Sequence, residues 1–160
     1  MTDKPQAQEP ALTRLDWGLL NGAVGTAVRL LRNEITPLIF AAYAPFDLRS
    51  GAVSTMVLID ANPGCSQSEM ARELAMDDSA MVAIIDELET KGLALRSRSL
   101  ADRRRNMLSL TPEGKKLMLA MLEQAMKVER PIRDALSDDE VAQLIRLLRR
   151  AYNAVLSSNS

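Results

Sequence analysis

The stretch spanning residues 93–114, LALRSRSLADRRRNMLSLTPEG, constrains the fold more than any other part of the chain. Two short strand-like segments, 93–98 and 107–110, flank a loop that carries Asp102-Arg103-Arg104-Arg105. Between Arg96 and Arg105 lie five arginines and one acid, a local net charge of +4 on a chain whose formal net charge is −1. A basic hairpin tip on a nearly neutral protein points to phosphate or minor-groove contact. The competing reading is an edge hairpin whose charges block self-association.

The residues before the hairpin narrow the choice. Ser66-Gln67-Ser68-Glu69 has the form of a capping box, in which Ser66 accepts from the backbone of Glu69 and Glu69 reaches back to Ser66. A short helix is expected from there to about Ala75, with Met70, Ala71, Leu74 and Ala75 facing inward. Asp77 and Asp78 offer caps for a second helix. Met81, Ile84, Ile85 and Leu88 then repeat at helical spacing, and Lys91 followed by Gly92 makes a stop. Two helices with a tight connection, then a basic two-stranded wing, make a winged helix-turn-helix. In that arrangement the second helix enters a major groove and the wing reaches the neighbouring backbone or minor groove.

Here the chain resembles a known family. Asp102-Arg103-Arg104 followed by Leu108-Ser109-Leu110-Thr111-Pro112-Glu113-Gly114 is similar to the wing signature of MarR-type transcriptional regulators, roughly D-x-R-x-x-x-L-x-L-T-x-x-G. The segment Leu88-Glu89-Thr90-Lys91-Gly92-Leu93 resembles that family's end of the recognition helix, and the run from Pro63 to Ala71 its entry to the preceding helix. These motifs cover about fifty residues, and the helical pattern fits nearly the whole chain.

Length and composition agree with one mainly α domain. A chain of 160 residues buries a sizeable core as one unit. Aromatics make up only 3%, so Leu, Ala, Met and Val do the packing, which favours helices. No apolar run reaches the roughly eighteen residues of a membrane span. The polar, proline-containing start lacks the apolar region of a signal peptide, so residues 1–11 are expected to be a disordered tail and the protein cytoplasmic. A single domain is expected over 12–160, with a DNA-binding lobe at about 47–111 and dimerisation helices at about 12–44 and 112–157.

With one cysteine and no histidine, a zinc site or a His-based catalytic triad has no ligands or base. No phosphate-cradling glycine motif is present. The expectation is therefore no enzyme, no cofactor and no metal. Cys65 next to a helix start reads first as a packed thiol, and second as a redox sensor.

The two ends suggest a homodimer. Leu15, Leu19, Ala23, Ala27 and Leu31 form a stripe in the long apolar-rich stretch of 12–43, which Pro37 is expected to kink or divide. Thr111-Pro112 starts a helix expected to end near Arg130, before Pro131. A second capping box at Ser137–Glu140 opens a terminal helix with Val141, Leu144, Leu148, Ala151 and Val155 on a narrow seam that suits a partner helix. In the family the first and last helices interlock across a two-fold axis, which implies a palindromic operator in double-stranded DNA.

The resemblance also implies site residues. Ser66, Gln67 and Ser68 match helix-entry positions that meet phosphate. Ser79 starts the reading helix, and Val82 stands exposed where it can touch a thymine methyl. Val82-Ala83 replaces the family's frequent Thr-Arg, so the wing (Arg96, Arg98, Asp102, Arg103, Arg104 and Arg105) is expected to supply most of the affinity. The motif implies that Asp102 orients Arg104 into a minor groove, with Arg103 and Arg105 on phosphates. Seven carboxylates lie between Ser66 and Gly92, so Asp86, Glu87 and Glu89 must turn away from the DNA backbone. The family commonly answers to a small aromatic acid or its thioester. Candidate effector contacts are Trp17, Arg29, Arg32, Phe40, Tyr43, Phe46 and Met56, with the arginines pairing a carboxylate. The expected function is thus a ligand-responsive, sequence-specific repressor. A winged-helix protein adaptor and a thiol-sensing regulator are the alternatives.

Overall fold

The structure is a computed structural model, and it describes residues 15–98 and 106–158. The chain divides into one unit ending at Glu34 and a larger unit, Ile35–Ser160. The described part of the first unit holds a 3-10 helix, Gly18–Gly22, and the start of α1 (Val24–Tyr43). The second holds the rest of α1, then α2 (Ala52–Ala61), α3 (Gln67–Glu73), α4 (Asp78–Thr90), β1 (Ala94–Arg98), β2 (Asn106–Leu110), α5 (Pro112–Ala135) and α6 (Asp138–Ser158). This is the mainly α winged helix-turn-helix that the caps and periodicity predicted.

The caps form where the sequence puts them. Ser66 and Glu69 make the reciprocal box at the start of α3, and the Asp77 carboxylate accepts from the Ala80 N–H at 2.7 Å to open α4. Thr111 caps α5 through the Gly114 N–H, and Ser137 boxes with Glu140 ahead of α6. α4 is the centre of the core. Its Ile84 and Leu88 pack with Ala52, Val53, Met56, Leu93, Ala94, Met118 and Met121. Its Met81 and Ile85 pack with Ile59, Met70, Ala71 and Leu108. One helix face thus buries in a cluster with α2, β1 and α5 and in a second with α2, α3 and β2.

The hairpin is antiparallel, with Arg96 opposite Leu108 and Ser97 opposite Met107. Period-two alternation sorts its faces: Ala94 and Leu108 are buried, while Leu95, Ser97, Met107 and Ser109 are exposed. Arg96 therefore belongs to the inward face.

Several expectations are corrected. Leu15 and Leu19 are not on the α1 stripe, because Gly18, at φ +52°, and the extended Ala23 separate them from the helix that starts at Val24. Pro37 lies inside α1 and does not divide it. α5 also continues through Pro131 to Ala135. Ion pairs on either side, Arg133–Glu129 at 3.4 Å and Arg130–Asp134 at 3.6 Å, tie the turns that flank the missing N–H. Ala75 is exposed rather than inward, since its φ of +50° ends the run of α3 and turns the chain toward α4.

Candidate nucleic-acid interface

The helix pair presents a small, uncharged strip. Ser79, near the start of α4, is exposed, as is Val82 three positions on, and Ala83 is half-exposed beside it. The Ser79 hydroxyl donates to Asp77 Oδ1 at 2.5 Å. That bond, with the Ala80 N–H, holds the Asp77 carboxyl below its ordinary pKa. The cap therefore stays ionised, complementing the positive end of the helix dipole. Before α3, the Ser66 hydroxyl is already committed to Glu69, donating to Oε2 at 2.7 Å while accepting its N–H at 3.3 Å. Ser68 is exposed and Gln67 half-buried, so of the three entry residues these two have the side chains better placed for a phosphate.

Three acids of α4, Asp86, Glu87 and Glu89, are ion-paired. Glu87 lies 3.8 Å from Lys91 Nζ and 3.6 Å from Arg49 Nε, and it also accepts the Arg49 backbone N–H at 3.1 Å. Lys91 reaches on to the Asp47 carboxylate at 3.0 Å and to the Asp47 carbonyl. Glu89 and Asp86 both take the guanidinium of Arg96, at 2.6 and 2.7 Å. Glu87 and Glu89 are half-buried, in keeping with acids turned from the surface, but Asp86 is exposed and is countered by Arg96.

Arg96, expected among the DNA-binding residues of the wing, is engaged by Asp86 and Glu89. Residue alternation points it inward, onto α4. Arg98 ends β1, and Asp102, Arg103, Arg104 and Arg105 lie outside the described residues.

The effector candidates separate. Phe40 and Tyr43 line a pocket of about 380 Å³ together with Ile39, Ala44, Leu48, Arg49, Ser50, Gly51 and Ser54. Burial and the nearby Glu129 push the Tyr43 phenol above its ordinary pKa, so it remains a hydrogen-bond donor. Met56 is not available to a ligand: it is wholly buried in the core beneath α2. Phe46 is half-buried and packs against the same core. Trp17, Arg29 and Arg32 belong to the first unit, where Trp17 is half-buried and both arginines are exposed. Sequence reasoning missed Arg49, Ser50 and Ser54. The only signal for them was the polar break Arg49-Ser50-Gly51 between two apolar helices.

Cys65 is half-buried and lines a cleft of about 690 Å³ with Glu69 and Glu73. Burial, and then Glu69, push its thiol pKa up. A raised pKa means less thiolate at neutral pH and slower oxidation. Alkylation of the folded protein by iodoacetamide should therefore be slower than that of free cysteine across pH 7–8. Peroxide should leave DNA binding of wild type and Cys65→Ser alike. Peroxide-driven release confined to wild type would restore the thiol-sensor reading.

Among the described residues no cluster of His, Cys, Asp and Glu could hold a metal ion, and no helix is long and apolar enough to cross a membrane. Residues 48–105 match the family model described as MarR family. A curated relative from Thauera aromatica, assigned as a transcriptional regulatory protein for the hcr operon, is 42% identical over 103 residues. That match covers 64% of this chain and 61% of the relative, so the chain spans less than two thirds of it. The transcriptional repressor CouR, solved bound to a 23-mer DNA duplex, superposes with a TM-score of 0.76 at 30% identity, covering 88% of this chain and 99% of that one. CouR from Rhodococcus jostii RHA1 bound to p-coumaroyl-CoA gives a TM-score of 0.71 at 25% identity, covering 81% and 92%. Wing strands, capped helix pair and a structural match over 88% of the chain agree, and the chain belongs to the MarR family, whose members are DNA-binding transcriptional regulators and not enzymes.

Proposed function

We propose that the chain is a homodimeric, sequence-specific repressor of transcription that binds a palindromic duplex and is released by a small organic anion of the aromatic-acid class or its thioester. The observation that carries the reading is α4. It offers a Ser79–Val82–Ala83 strip to a groove while Asp86, Glu87 and Glu89 farther along are countered by Arg49, Lys91 and Arg96. Val82 supplies a methyl surface for thymine, and Gln67 and Ser68 flank the backbone. The wing tip, Asp102 to Arg105, brings the positive charge, with Arg104 in a minor groove. The adaptor alternative rests on an acidic reading helix, and the ion pairs of Asp86, Glu87 and Glu89 weaken that ground.

The pocket favours an anion with an aromatic body. Phe40 and Tyr43 give ring walls, and Arg49, Ser50 and Ser54 give polar contacts. Arg49 also bonds Glu87 of α4. An effector carboxylate that draws Arg49 away frees Glu87, and with it one tether of the reading helix. The effector works through its differential affinity for the two states, and release of ~10–100-fold needs a coupling of roughly 1–3 kcal/mol.

The test begins with a duplex selected by the wild-type chain from a random library. Binding should weaken with salt. p-Coumarate and p-coumaroyl-CoA are then titrated with and without that duplex. The expected result is weaker effector binding in the presence of DNA, by the same factor as the effector weakens DNA binding. Salt-insensitive binding or no selectable duplex overturns the regulator reading. Equal effector affinities in the two titrations overturn release by these compounds.

A further inference from the structure

We propose that Arg96 is the internal counter-charge of the reading helix: its guanidinium cancels Asp86 on the DNA-facing stripe of α4, and Glu89 holds it there. This rests on α4 being the reading helix. Arg96 sits in the middle of β1, on the hairpin face whose neighbours Ala94 and Leu108 are buried. From there its Nη1 meets Glu89 Oε2 at 2.6 Å and its Nη2 meets Asp86 Oδ1 at 2.7 Å. The Arg96 backbone N–H donates to the other Glu89 oxygen at 3.1 Å. Glu89 therefore grips both the main chain and the side chain of one residue, and so fixes where the guanidinium points. Two of the three guanidinium nitrogens are committed to carboxylates, and the third, Nε, is buried without a partner. Arg96 is built to face α4, not phosphate.

Asp86 is the acid that needs cancelling. It follows Val82 by four residues and Ser79 by seven, which puts all three on one stripe of the helix. All three are exposed. An uncompensated carboxylate one turn beyond the base-facing residues would repel the phosphates on either side of the groove. Glu87, which turns to Arg49 and Lys91, has counter-charges of its own. The planar fork of arginine spans two carboxylates at once, whereas a lysine is a single point charge. Arg96 is thus a positioning and masking residue for DNA binding rather than a DNA contact.

The experiment compares wild type, Arg96→Gln, and the triple variant Arg96→Gln/Asp86→Asn/Glu89→Gln on the duplex selected by the wild-type chain, across a salt series, with folding checked by circular dichroism. Arg96→Gln should lose about tenfold or more in affinity, because two acids are unmasked. The triple variant should return to within about threefold of wild type and keep the wild-type slope of log affinity against log salt. A triple variant as weak as the single one overturns the proposal. If its slope is also shallower by about one unit, Arg96 is a phosphate contact. A single variant equal to wild type overturns it as well. Should Arg96→Gln fail to fold, Arg96→Lys keeps the charge but cannot hold both carboxylates, and a loss of about threefold is expected. Equality of Arg96→Lys with wild type overturns the proposal. Failure of wild type to select any duplex would be separate, since that result speaks against the regulator itself.

Discussion

Alanine at Gly114 should cost the protein about 3 kcal/mol or more of stability and disorder the base of the wing. A β-carbon built at Gly114 would lie 1.9 Å from the Leu93 carbonyl oxygen and 2.8 Å from its carbon. Both are backbone atoms, so no rotamer change relieves the overlap. That carbonyl is already employed, accepting the Thr111 N–H at 3.0 Å. The Thr111 hydroxyl in turn donates to the Gly92 carbonyl at 2.8 Å and accepts the Gly114 N–H at 3.0 Å. The glycine is thus the point at which the first turn of α5 presses against the chain leaving α4. At about 2–4 °C per kcal/mol for a chain of this size, the melting temperature should fall by roughly 6–12 °C. Gly92→Ala is the control. Nothing lies within 4 Å of its β-carbon, and only its φ of +69° is unfavourable, so it should cost about 1–2 kcal/mol. Calorimetry on the two variants decides it: a Gly114→Ala protein melting with wild type would mean that α5 is seated differently.

A charge placed on the apolar seam of α6 should dissolve the proposed dimer. Ile145, Leu148, Tyr152 and Val155 are between 39% and 60% exposed on the single chain, and they recur every three or four residues. Such a stripe, exposed where Val141 and Leu144 of the expected seam are half-buried, suits a helix–helix interface. Leu148→Asp should sediment as a folded monomer, because burying one unpaired carboxylate per protomer is costly. DNA affinity should fall by about 10²–10⁴, the gain that a second linked half-site provides. A Leu148→Asp protein that remains dimeric and binds its selected duplex as tightly as wild type would place the two-fold interface elsewhere.

How far the sequence could be read depended on how local the determinants were. The starts of α3, α4, α5 and α6 were visible because a cap involves residues three apart: Ser66 with Glu69, Asp77 with Ala80, Thr111 with Gly114, Ser137 with Glu140. The core face of α4 was visible because Met81, Ile84, Ile85 and Leu88 repeat at the helical period. The orientation of Arg96 was legible in principle, from the alternation Ala94-in, Leu95-out, Arg96-in and from acids at positions 86 and 89. It was hidden by the habit of counting a basic segment as one patch. Arg49 was not legible, since its pocket forms only when the end of α1 meets the start of α2 and its acid partner lies 38 residues away. The passage of α5 through Pro131 also escaped, because the penalty of one proline is local, while the exposed ion pairs that span it return only a small part of that penalty and form only once the helix continues.

The seating of α5 has a mechanical consequence. Its first turn is stitched to the root of the wing, Lys115 reaches Asp60 of α2 at 3.0 Å, and Met118 and Met121 are sunk in the core. Beyond Met121 the helix continues from 122 to 135, about 21 Å of its length at 1.5 Å per residue. It is a lever arm with one end clamped in the lobe that carries α4. A tilt of about 8° pivoting at the far end moves the clamped end by about 3 Å, the length of a hydrogen bond. A small rotation of the arm is therefore enough to break register with a groove. Pro131, near the far end, is where the arm has one backbone bond fewer to resist bending.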